Sequence, residues 1–93
     1  MSVTTLHGRI VDLQPWTKAK PYAVLRVLLD GHQHHLEGAT SVRVEPADLM
    51  AALHAHGGPE NGQRCTLVVQ PYASKLASYR AVRVPCWESG DVP

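Results

Sequence analysis

Apolar and polar residues alternate with period two along most of this chain, the pattern of strands half-buried in a sheet. Leu6, Gly8 and Ile10 share one parity, after which Val11 and Leu13 take over the apolar phase. A phase switch beside a glycine predicts a β-bulge or a coiled strand that changes face. From Tyr22 to Asp30, one face carries Ala23, Leu25, Val27 and Leu29; the other carries Tyr22, Val24, Arg26 and Leu28. Asp30-Gly31 is a tight-turn pair that ends this second strand. A third strand is expected over about 33–38, with Val42 and Val44 extending it after a break. The period then lengthens. Pro46 suits a first helical position, Asp48 suits the positive end of the helix dipole, and Leu49, Met50 and Leu53 recur at helical spacing. Gly57, Gly58 and Pro59 stop that helix near His56. Period two returns with Cys65, Leu67 and Val69 up to Pro71, and again from Ala81 to Cys86. A loop, Pro71 to Ser78, joins these last two strands.

The order is strand, strand, strand, helix, strand, strand. It is the order of the OB-fold, a five-stranded Greek-key barrel with a helix between its third and fourth strands. The fold class expected is therefore mostly β, with an open α+β sheet carrying one helix as the alternative. At 93 residues the chain fits one domain, 1–87, followed by a short polar tail, 88–93. Phe is absent, so Val, Leu and Ala must fill the core. No apolar run approaches the roughly 20 residues of a membrane span, and Met1 to Leu6 lacks the features of a secretory signal. A cytoplasmic protein is expected, in which Cys65 and Cys86 are both buried free thiols.

The net charge of +1 conceals a segregated distribution. Leu13 to Leu29 contains Lys18, Lys20 and Arg26 and no acid; Asn61 to Trp87 contains Arg64, Lys75, Arg80 and Arg83 and no acid. Segregation of this kind can give a nearly neutral protein one basic face. The aromatics fall in the same windows. Trp16 and Tyr22 bracket the loop between strands one and two, Tyr72 and Tyr79 bracket the loop between strands four and five, and Trp87 closes strand five on the parity of Tyr79 and Arg83. In an OB barrel these two loops flank the ligand face. Rings that stack on bases and cations that neutralise phosphates are what single-strand binding requires. The competing expectation is that, without Phe, these Trp and Tyr residues are simply the large core side chains.

With this strand order, and with Trp16-Thr17-Lys18-Ala19-Lys20-Pro21-Tyr22 and the Tyr72 to Arg80 segment interleaving rings and charges, the chain resembles bacterial and phage OB-fold single-stranded DNA-binding proteins. The small primosomal replication protein B type is among them. The resemblance implies a replication setting and self-association. It lacks the long acidic, Phe-ended tip of the major housekeeping members, since the tail reads Glu88-Ser89-Gly90-Asp91-Val92-Pro93. A homodimer is also expected because Val24, Leu28 and Val68 sit on half-polar faces with no obvious cover.

The expected function is non-catalytic binding of single-stranded DNA without strong sequence preference. Phosphate contacts are assigned to Lys18, Lys20, Arg26, Lys75, Arg80 and Arg83, and stacking to Trp16, Tyr22, Tyr72, Tyr79 and Trp87. A protein-assembly module using the same face, or a single-stranded RNA binder, are the alternatives. No catalytic, nucleotide-binding or cofactor motif is present, and neither an enzyme nor a small-molecule substrate is expected. His32, His34 and His35 cluster after the turn, but only His32 and His34 share a strand face, too few ligands for a zinc site. His54 and His56 fall at the helix end, where cations suit the dipole.

Overall fold

The computed structural model describes residues 2–30, 39–72 and 77–88. Six strands and one helix follow in order: β1 Thr4–Gln14, β2 Ala23–Leu29, β3 Ala39–Val44, α1 Pro46–His56, β4 Arg64–Pro71, β5 Tyr79–Ala81 and β6 Cys86–Trp87. The sheet runs β1-β2-β3-β5-β4, and β4 pairs back onto β1 to close a barrel. All of these pairings are antiparallel except β3 with β5. This is an OB-fold-like barrel of five strands with a short helix between the third and fourth.

Closure depends on β1, which must pair with two neighbours. Thr4 to Arg9 pair with β4, and Gly8 to Gln14 pair with β2. The register slips between Ile10 and Asp12, so Val11 is the extra residue of a bulge where the sequence pattern changes phase. A bulge sharpens local twist, which lets one strand turn from one partner to the next. Gly8 sits at the crossover, where a Cβ would lie 2.8 Å from Val27 Cγ1 and 3.0 Å from Leu29 Cα.

Inward residues alternate as period two demands. Ile10, Ala23, Leu25, Val27, Val42, Val44, Cys65, Leu67, Val69 and Ala81 fill the barrel, and Leu49 and Ala52 of α1 close it. The helix begins at Pro46 and is capped by Gly57, whose N–H donates to Leu53 O at 2.8 Å and whose positive φ of 80° turns the chain out of the helix. Trp87 packs among these residues, 2% exposed, its indole N–H donating to Gly57 O at 3.1 Å and its ring tilted against His56. The last strand thus ties the helix end to the barrel.

One sequence expectation is described only in part, and another needs correcting. The third strand lies at 39–44, built on Val42 and Val44; the stretch expected as its main part, 33–38, lies outside the described residues, as does Gly31 of the turn pair. The fifth strand is interrupted. Both β5 and β6 pair with β4, but Ala81 to Cys86 covers five steps while Val69 to Thr66 covers three. The surplus falls between Ala81 and Cys86, where Val82, Arg83 and Val84 are exposed, Val82 N–H still donates to Val68 O at 2.9 Å and Pro85 is buried. Pro85, with no N–H to give a ladder, belongs in such a break.

Of the three residues behind the dimer expectation, Val24 is covered within the single chain, 3% exposed, while Leu28 and Val68 are half-buried. Of the two thiols, Cys65 is buried but Cys86 is exposed, because β6 pairs Cys86 with outward-facing Thr66. No helix among the described residues is long and apolar enough to cross a membrane.

Candidate nucleic-acid interface

Outward positions of β2, β3 and β5 form one face, bounded by the β1–β2 and β4–β5 loops. The ladders align it. Val24 is opposite Arg43, Arg26 is opposite Ser41, and Arg43 is the parallel partner of Arg80, which in turn faces Gln70. Since Val42 and Val44 point inward, Arg43 must point out.

Arg43 is where the two loops meet. Its guanidinium carbon lies 4.2 Å from the centroid of Tyr22, at the end of one loop, and 5.4 Å from that of Tyr72, at the start of the other. Both distances are within the range of cation–π attraction. Nη1 donates to the Tyr72 hydroxyl at 2.6 Å, and Nε donates to Glu45 Oε2 at 2.8 Å. The Glu45 bond, opposed by partial burial, holds the guanidinium above its ordinary range, so Arg43 stays charged. Glu45 is also the residue preceding α1, yet its carboxylate makes no cap to the helix. It serves Arg43 instead.

The described residues of both loops are held by hydrogen bonds. In the first, Thr17 N–H donates to Lys20 O at 2.8 Å and Lys20 N–H to Thr17 Oγ1 at 3.0 Å, a compact turn. That turn carries Lys20 back so that Nζ donates to Gln14 Oε1 at 3.2 Å and lies 6.0 Å from the Tyr22 ring. Trp16, 37% exposed, and Lys18, exposed, stand outside it. In the second loop, Tyr72 N–H donates to Ser78 O and Ser78 N–H to Ser41 O, each at 3.0 Å, which pins the loop base to β3.

The structure therefore gathers Lys20, Tyr22, Arg26, Tyr72 and Arg80 around β2, β3 and β5, with Trp16 and Lys18 on the adjoining loop. Lys75 lies outside the described residues. Arg83 is exposed on the segment between β5 and β6. Two stacking assignments change. Trp87 is a core residue and its ring is closed to any base. Tyr79 is the register partner of inward Val42 and packs, half-buried, against the core. Their shared parity was legible in the sequence, but the face it marks is the inner one.

Arg43 and Glu45 were missed. The Val42-Arg43-Val44 alternation is the available signal, but Arg43 lies between Glu37 and Glu45, outside both acid-free windows. No protein-family model matches this chain, nor does any curated protein or solved structure.

Proposed function

We propose that this protein binds single-stranded DNA on the β2–β3–β5 face, without strong sequence preference and without catalysing a reaction. The observation that carries the proposal is Arg43 held against both Tyr22 and Tyr72, one from each loop. The cluster brings together the two chemistries single-strand binding uses, aromatic rings and a cation beside them. Lys20, Arg26 and Arg80 surround it, and Trp16 and Lys18 extend it along the first loop. OB barrels bind oligonucleotides between the corresponding strands and loops, which supports the same reading.

Titration of labelled oligo-dT at two salt concentrations tests it. With about four phosphates neutralised, log K is expected to fall against log salt with a slope near −3. Binding that ignores salt would transfer the face to a protein partner, and equal affinity for duplex and single strand would refute the proposal.

A further inference from the structure

Five arginines lie outside the barrel core on five consecutive strands of the closed sheet: Arg80 on β5, Arg43 on β3, Arg26 on β2, Arg9 on β1 and Arg64 on β4. The register fixes their spacing. Arg80 and Arg43 are direct partners. Arg43 faces Val24, two residues from Arg26, and Arg9 faces Leu28, two residues beyond Arg26, so both of these steps are diagonals. Arg9 and Arg64 are direct partners again. Direct partners sit about 5 Å apart and diagonals about 7–8 Å, so the row is continuous, one cation per strand.

The far end of the row is unfavourable to the fold as it stands. Like charges placed directly opposite each other on neighbouring strands repel, and Arg9 and Arg64 are so placed. Among the described residues only Arg64 of the two has a carboxylate partner, Asp30, whose Oδ2 is 3.2 Å from Arg64 Nη2 with both side chains about half exposed. The arginine pair lines a groove together with Leu28, Leu29 and Asp30. Two neighbouring guanidiniums suit a phosphodiester, and the half-buried Leu28 beside them offers apolar surface to a base.

We infer that these arginines are a single phosphate track, and that a bound strand leaves the Tyr22–Arg43–Tyr72 cluster, crosses β2 and β1, and ends in the Arg9–Arg64 groove. This rests on the single-strand reading proposed above and adds a direction and a second contact region to it. Each step of the row is of the order of the separation between neighbouring phosphates in an extended strand. Glu45 and Asp30 pair with Arg43 and Arg64, so a bound phosphate competes with these two carboxylates.

The test compares a short oligo-dT of about 4 nucleotides with a long one of about 16, spanning the range of OB-fold site sizes. The probe protein is the full chain, wild type and Arg9→Gln/Arg64→Gln. Both replaced side chains are exposed, and a thermal melt checks that the fold is retained. The expected result is unchanged affinity for the short strand and loss of the extra affinity for the long one. The salt slope for the long strand falls by about 1.4, two contacts at about 0.7 each. An Arg9→Lys/Arg64→Lys variant restores that slope. Wild-type affinity and slope for the long strand in the Gln variant would overturn the inference while leaving the cluster intact, and so would equal weakening of both strands. If wild-type protein binds neither strand, the single-strand reading fails and the track fails with it.

Discussion

Trp16 and Trp87 have the same side chain and opposite roles, which makes them the cleanest comparison at the scale of residues. Trp16→Ala removes an exposed ring; binding is expected to weaken by about 1–3 kcal/mol while stability stays within about ±0.5 kcal/mol. Trp87→Ala empties the core and strips Gly57 O of its donor, so the melt should show a loss of about 3–5 kcal/mol. Tyr79→Ala belongs with Trp87, whereas Tyr22→Ala and Tyr72→Ala should weaken binding as Trp16→Ala does and also lower stability, since each half-buried ring packs against Arg43 and Tyr72 accepts its hydrogen bond. Sequence alone separated none of these, because alternation gives parity but not which parity faces in. The thiols offer a second check. Burial pushes the Cys65 thiol up from 9.0 to about 11, so a thiol reagent at neutral pH should label Cys86 quickly and Cys65 only on unfolding. A folded-state pKa above the unfolded one favours folding at every pH below the unfolded value. That contribution, on the order of 2–3 kcal/mol, disappears as pH rises from about 9 through 11. Cys65→Ala should remove this alkaline dependence in urea titrations.

At the scale of elements, the most constrained position is Gly8. Any side chain there meets the backbone of β2, and backbone cannot swing aside as a flexible side chain can. Gly8→Ala is expected to cost about 1–3 kcal/mol through overpacking, read as a lower urea midpoint with an unchanged slope. The bulge beside it was visible in the sequence because it shifts the apolar phase from Ile10 to Val11 and Leu13. The helix was visible for a similar reason, with Pro46 and Gly57 marking both ends of a changed period. The interruption between β5 and β6 was not visible, since Ala81, Pro85 and Trp87 keep one parity across it. Only the ladder reveals the two extra residues. Of strand three, the part built on Val42 and Val44 lies in the described residues, while 33–38 lies outside them.

At the scale of the whole molecule, strand order was enough to give the barrel, because a helix between the third and fourth strands leaves few ways to close five strands. The site was only half legible. Its loops were found through their aromatics and cations, but Arg43, which joins them, belongs to a strand that pairs across the sheet with Arg80, and no local pattern encodes that partnership. The same junction has a mechanical consequence. β3 and β5 share two residue pairs, Val42 with Tyr79 and Arg43 with Arg80, against six along β2 and β3. The closed sheet is therefore unevenly fastened, and its thinnest seam runs directly beneath Arg43 and Tyr72. Amide protons of Tyr79 and Arg80 should exchange with solvent well before those of Leu25 and Val27, by local opening of the kind that precedes global unfolding. A strand lying across Arg43 and Arg80 would bridge that seam from outside, like a suture, so the ligand would slow exchange there more than anywhere else in the barrel.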